Sequence, residues 1–349
     1  MLHQMLPSET NKRIYFLDGF RALAILMVVA IHAVPYSHPL DPGISEIIQF
    51  VIRTIAVPAF FLSDGFLFIL KKPYSNNLQY MKYVIKSAQR LLIPWFVFTI
   101  IYLVARSISE ELNIVQNKII MGNSLPSIIQ AAYASTIAPQ MYFLLSLFII
   151  RTLSFGMKYM EKLHVLHVVI IFISYVVLYH FCIIPYLTPL LSDGNGFDPF
   201  LNALWGMQFY LAGTIFANYY KEFFRHSLVI MIVSTVVFIV FKFYCDAGTL
   251  NETVIAFAYL TAIFTLFLKK MDKNNILSTI GKDTMGIYLV HAPVMVNIIS
   301  LLMLTLVANA LLSYILVTLL TFLFSLLIVR VIYTIPYGVL LFGTAPPRE

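Results

Sequence analysis

Charge is scarce in this chain of 349 residues: only 11% are Asp, Glu, Lys or Arg, and the 16 acids are outnumbered by 23 bases. Cysteine and tryptophan occur twice each. Cys182 and Cys245 lie in or beside apolar stretches and give no disulfide framework. There is no glycine-rich phosphate loop and no Gly-x-Ser-x-Gly nucleophile elbow. His164 and His167 are one turn apart but have no acid ligand pattern nearby, so no metal site is expected. No internal repeat or low-complexity tract is visible. The net charge of +7 is spread over separate short connections, which excludes a nucleic-acid patch. What the chain has in abundance is apolar surface: 60% of its residues are hydrophobic and 15% aromatic, with a mean hydropathy of +0.87. A soluble domain of this length has no interior large enough to hide so much.

Apolar runs of about twenty residues match the thickness of a bilayer core. They predict an all-α bundle of ten membrane spans, near 20–38, 46–70, 83–105, 137–157, 165–185, 203–219, 227–244, 253–268, 284–307 and 311–333. The first run is longer than a signal core and carries Arg21 and His32, so it is expected to be retained. Basic residues cluster on alternate connections: Lys12 and Arg13; Lys71, Lys72, Lys82, Lys86 and Arg90; Arg151, Lys158 and Lys162; Lys221 and Arg225; Lys269, Lys270, Lys273 and Lys282. The other connections hold Arg106, Lys118 and Lys242 only. That alternation predicts both termini in the cytoplasm. The tails are short, so residues 1–349 read as one membrane domain. The connection 108–136 mixes Glu110, Glu111 and Lys118 with Ile114, Val115, Ile119 and Ile120, a pattern that suits an interfacial or re-entrant segment and equally a surface helix.

Ionisable residues inside spans cost about 2.5–3.5 kcal/mol each on insertion scales, so they normally face a polar cavity. Arg21 and His32 are eleven residues apart, about three helical turns and about 16 Å, and therefore share a face. His32 lies about 18 Å into a core of about 30 Å. A neutral imidazole at that depth can act as a general base or carry an acyl group; a histidine bonded between helices is the alternative. Arg53 and Asp64 repeat the spacing on the second span, with Arg53 near the depth of His32. His291 lies about 10 Å inside the cytoplasmic end of the ninth span. His3, His38, His180 and His226 read as interfacial. Asp193, Asp198 and Asn202 fall in or beside an outside loop, within reach of a polar acceptor.

Five stretches together resemble one family. Leu17-Asp18-Gly19-Phe20-Arg21-Ala22-Leu23-Ala24-Ile25, followed by His32, looks like the opening Arg-x10-His signature of the acyltransferase-3 membrane O-acyltransferases. Arg53 with Val57-Pro58-Ala59-Phe60-Phe61 through Gly65-Phe66-Leu67, Lys86 with Arg90-Leu91-Leu92-Ile93-Pro94, Phe209-Tyr210-Leu211-Ala212-Gly213, and Gly286-Ile287-Tyr288-Leu289-Val290-His291-Ala292-Pro293 resemble later elements in the same order. The chain departs from the pattern at Asp64, where Ser is common, at Met141-Tyr142-Phe143-Leu144, where Trp-Phe-Leu is common, and at Ala292, which separates His291 from Pro293. Ending at Glu349, the chain is expected to lack the extra-membrane esterase-like domain of larger members.

The resemblance implies transfer of an acyl group, usually acetyl from cytoplasmic acetyl-CoA, to a hydroxyl of a cell-surface glycan or its lipid-linked precursor. Acetyl-CoA is then a substrate, and no permanently bound cofactor is expected. The expected setting is the inner membrane of a bacterium, with membrane lipid, the glycan acceptor and glycan-synthesis proteins as partners. On this reading His32 is the base or acyl carrier, and Arg53 stabilises the oxyanion. Arg21 and Arg90 grip CoA phosphates with Lys86 beside them, and His291 lines the donor tunnel. Asp18 holds Arg21 by an i, i+3 pair, and Asp64 orients His291 or pairs with Arg21. Snorkelling, ordinary cytoplasmic charge and structural ion pairs are the competing roles for the cations, and for Lys71, Lys72 and Lys82 ordinary charge is the reading adopted. Two other functions remain in play: an exporter using the same polar interior for proton-coupled transport, and a non-catalytic partner in a glycan-synthesis complex, for which His32 is dispensable.

Overall fold

The computed structural model describes residues 13–113, 118–191, 198–245, 248–271 and 273–343. His3, Lys12, Ile114, Val115 and Asp193 lie outside them. Among the described residues there is no strand. The principal helices are α1 (Tyr15–Ala33), α2 (Pro42–Lys71), α3 (Asn77–Glu111), α4 (Tyr142–Leu153), α5 (Val165–Leu178), α6 (Pro199–Asn218), α7 (Ser227–Tyr244), α8 (Thr249–Lys270), α9 (Thr284–Val290), α10 (Val296–Leu306) and α11 (Ala310–Thr334). A wide π-type turn, His291–Met295, joins α9 to α10, and Tyr179–Leu187 extends α5 in the same way.

Nine helical segments among the described residues are long and apolar enough to cross a bilayer. The tenth expected span, α6, is a helix of 20 residues but is not among the nine. Its sequence is diluted by Asn202, Gly206, Gln208, Gly213 and Thr214. Such dilution is tolerable because every residue from Gly206 to Thr214 is buried, so α6 meets protein on all sides. The peripheral α7 shows the opposite pattern: only Ser227 and Ser234 are buried, and its apolar side chains face outward.

The centre of the bundle is the pair α2 and α6. A β-carbon on Gly65 would lie 2.0 Å from the Tyr210 carbonyl oxygen, and one on Gly213 would lie 2.0 Å from that of Leu62. The two backbones touch, which only glycine allows here. Helix α1 runs antiparallel to α2: Phe16 meets Phe66 edge to face at 5.7 Å, and the Arg21 guanidinium is 6.0 Å from the Phe60 ring. That register sets His32 level with Gln49 and Phe50.

At the end of α3, the buried Glu110 carboxylate accepts hydrogen bonds from Arg106 and, in the connection that follows, from the backbone N–H groups of Ile119, Ile120 and Met121. A short helix, Leu125–Tyr133, follows with no buried residue. The described part of the segment is thus a helix lying outside the bundle and tethered by one acid, an arrangement common to both readings of its sequence.

Gly213→Val is expected to lower the thermal unfolding midpoint of the detergent-solubilised protein, because overpacking at a closed contact costs about 1–3 kcal/mol or more. An unchanged midpoint would mean that α2 and α6 do not touch there.

Candidate active site

Four cations and one acid from four helices surround a narrow cavity of about 100 Å³. Arg21 comes from α1, Asp64 and Lys71 from α2, Arg90 from α3 and Arg151 from α4. Arg151 grips Asp64 through both oxygens, Nε to Oδ2 at 2.9 Å and a terminal nitrogen to Oδ1 at 2.5 Å. This planar, charge-assisted pairing suits an apolar layer because it satisfies both groups at once. Lys71 and Arg90 are exposed and form the mouth, whereas Arg21, Asp64 and Arg151 are half-buried. With one acid against four bases the cavity carries a surplus of three positive charges. Its size admits a small acyl group or one phosphate, not a nucleotide.

The opposite wall of the cavity includes Thr284, Met285 and Tyr288 of α9. The Tyr288 ring lies 6.1 Å from the His291 ring, and His291 lies 5.2 Å from His32. The orientation of His291 has a local cause. Pro293 has no N–H, so in a regular helix the carbonyl of Leu289 would lose its partner; the Tyr102 hydroxyl donates to it instead. Ala292 leaves helical geometry (φ −136°, ψ 153°), and Gln140 donates its amide N–H to the Ala292 carbonyl. His291 Nδ1 then lies 3.1 Å from the Ile287 carbonyl and 2.8 Å from that of Tyr288. Carbonyls only accept, so Nδ1 carries the proton and Nε2 presents a lone pair. That Nε2, like the Tyr288 hydroxyl and the Gln140 Oε1, is buried without a hydrogen-bond partner. His291 is sealed from solvent, whereas His32 is partly exposed.

At the other end of α2 a larger cavity, about 870 Å³, opens among the N-termini of α2 and α8, the end of α7 and the segment after α5. Arg53 lines it and donates to Gln49 Oε1 at 3.0 Å.

Several expected placements are corrected by this geometry. Arg53 is not the partner of His32: its side chain is exposed in the larger cavity, whose walls include no residue of α1, and the group beside His32 is His291. His291 accordingly stands with His32 and is absent from the walls of the basic cavity. Asp18 does not hold Arg21 but pairs with Arg13 at 2.6 Å, because Arg13 reaches it from the chain just before α1. Asp64 pairs with neither Arg21 nor His291 but with Arg151, a stronger bidentate partner. Lys86 is exposed and outside the cavity, one turn of α3 beyond the mouth at Arg90. Arg21, Asp64 and Arg90 do share one cavity. Lys71, read from the sequence as ordinary loop charge, joins them at the mouth. Arg151 went unassigned to the site: three basic residues after the fourth span read as a cytoplasmic cluster, and only the unusual Asp64 signalled that one of them had a partner inside.

The family model for an acyltransferase domain of the acyltransferase-3 type matches residues 14–330. The chain belongs to that family. The acyltransferase-3 match contains the basic cavity, the histidine pair and the larger cavity together. An amino-acid racemase of Enterococcus faecalis is also similar, 32% identical over 102 residues, which are 28% of this chain. The match spans only 14% of the racemase's length. No solved structure matches the chain.

Arg151→Met leaves Asp64 charged and unpaired in the interior of this acyltransferase-3 protein. It is expected to destabilise the fold by about 3–5 kcal/mol, and adding Asp64→Asn should recover most of that loss. Unfolding of the purified variants in detergent checks this; strictly additive losses would mean that the two groups do not interact.

Proposed function

We propose that this protein is a membrane O-acyltransferase that takes an acetyl group from cytoplasmic acetyl-CoA and passes it to a hydroxyl of a cell-surface glycan or its lipid-linked precursor. The observation that carries the reading is the continuity from the basic cavity, through Tyr288 in its wall, to the facing rings of His291 and His32. Phosphates of the donor meet Lys71 and Arg90 at the mouth, with the planar forks of Arg21 and Arg90 suited to phosphate oxygens. The arm carrying the thioester enters past Tyr288. Under the topology expected from the basic loops, the mouth opens to the cytoplasm of a bacterial inner-membrane protein, and the acceptor arrives from the opposite side.

His32 takes the proton of the acceptor hydroxyl as its oxygen attacks the thioester carbonyl. The resulting oxyanion needs a donor, and the buried Tyr288 hydroxyl, free of any hydrogen bond, is available for it. Collapse of the tetrahedral intermediate breaks the carbon–sulfur bond, and the proton held by His32 returns to the leaving CoA sulfur. The products are an ester and free CoA. The same residues allow a two-step route in which the acyl group rests on His32 first. His291, with its proton locked on Nδ1, offers its Nε2 lone pair to keep the neighbouring imidazole correctly protonated. The partial likeness to a racemase covers too little of that protein to carry its activity here.

His32→Ala is expected to lower acyl transfer by a factor of about 10²–10⁴ while the protein still inserts and accumulates. Wild-type turnover by the purified variant would overturn the assignment. Arg21→Ala and Arg90→Ala should weaken acetyl-CoA binding in titrations, and Arg21→Lys should restore it only in part because the fork is lost. Unchanged affinity in both alanine variants would place the donor elsewhere. Mass spectrometry of surface glycans with and without the gene separates acyl transfer, which changes the mass by one acyl group per sugar, from export, which changes only the amount of polymer outside.

A further inference from the structure

The larger cavity holds an unusual set of charges. Glu46 and Arg53 reach it from α2, Lys242 from the end of α7 and Glu252 from the first turn of α8. Among the described residues two acids and two bases share this cavity, and none of the four forms an ion pair with another charged side chain there. Each cation instead has a neutral neighbour. Arg53 donates to Gln49 at 3.0 Å, and Gln49 in turn donates to the Ser45 hydroxyl at 3.0 Å. The Lys242 ammonium sits 3.8 Å from the centre of the Phe50 ring, a cation–π contact. In the same wall His180 is 9% exposed and its Nδ1 lies 3.2 Å from the Thr249 hydroxyl, while its Nε2 is buried with no partner. Trp205 and Phe209 add aromatic surface. At about 870 Å³ the volume falls inside the range of ligand sites, about 300–1,000 Å³.

We propose that this cavity is a binding site for a zwitterion, a ligand carrying one anionic group, carboxylate or phosphate, and one ammonium group. The fork of Arg53 engages an oxyanion bidentately, and Lys242 adds a second positive charge. Glu46 and Glu252 accept the ammonium hydrogens. A neutral polyol makes no ionic contact with any of the four, a simple anion approaches the two bases against the two carboxylates, and a simple cation approaches the carboxylates against the two bases. Only a ligand with both signs complements the set. The site stands on the residues of the cavity alone and does not depend on the acyl-transfer reading. The ligand chemistry has two sources, a free amino acid or the phosphoethanolamine headgroup of a lipid.

The protein carries its own reporter. Cys245 is exposed and lines the cavity, whereas Cys182, the other cysteine of the chain, does not. In the full-length Cys182→Ser protein, alkylation of Cys245 by a maleimide is followed alone and with alanine, O-phosphoethanolamine, lactate, ethylamine or glucose. Alanine or O-phosphoethanolamine is expected to slow labelling about fivefold at about four times its Kd, by simple occupancy. Lactate, ethylamine and glucose should leave the rate unchanged. Protection by alanine alone identifies a free amino acid, and protection by O-phosphoethanolamine alone a headgroup. Arg53→Gln and Glu252→Gln should each abolish protection while keeping the unprotected labelling rate, which shows that the cavity is still formed. The proposal is overturned if neither zwitterion protects, if a control protects equally, if protection survives both substitutions, or if Cys245 does not react without ligand.

Discussion

The bidentate grip of Arg151 on Asp64 joins α4 to α2 and fixes the charge of the basic cavity. Without Asp64, four cations would crowd one narrow space and repel each other and the fold. Without Arg151, a carboxylate would stand unpaired among aromatic rings. The pair neutralises itself and leaves Arg21, Lys71 and Arg90 with their charge directed into the cavity. An ion pair of this kind is weak evidence for stability in its own right, since two apolar side chains could replace it. Its value lies in setting the charge of a cavity that must also remain folded when empty.

Around that pair the bundle works as two cavities strung along α2. Arg53 and Asp64, eleven residues apart, look out from the same helix into separate spaces at opposite ends. The closed contact of Gly65 and Gly213 holds α2 against α6 between and beyond them, so neither cavity can change shape by sliding the two backbones past each other. The histidines come from elements outside this pair, α1 and the turn after α9. Helix α1 thus carries Arg21 into the basic cavity and His32 to the histidine pair.

Much of the bundle was legible in the sequence because a membrane simplifies the problem. Apolar run length gives the spans, and nine of ten appear by that criterion among the described residues. The exception, α6, shows what hydropathy does not register: a helix surrounded by protein no longer needs to be apolar. Counting depth along the helices set Asp64 level with Arg21 or His291, and the family resemblance joined Arg90 to Arg21; the basic cavity holds Arg21, Asp64 and Arg90 together. The depth count did not find Arg151, because a span boundary full of basic residues hides the one that turns inward. Nor did it separate Arg53 from His32: depth can be counted along a helix, but rotation about neighbouring helices cannot, and the two side chains at similar depth face different spaces. The pairing of His32 with His291 crosses from the first span to the ninth, a contact that no periodicity within either one encodes.

The kink after His291 makes that histidine unusually tolerant of its surroundings. Its ring is oriented by the carbonyls of Ile287 and Tyr288, groups that every amino acid at those positions possesses. A side-chain orienter, such as the carboxylate that holds many histidines, is lost when its own residue is substituted; a backbone carbonyl stays whatever residue stands at its position. Mutational drift in the neighbouring side chains can therefore reshape what the protein accepts while the tautomer of His291 stays the same. The tautomer is held by the main chain, and the side chains at 287 and 288 are left free of that task.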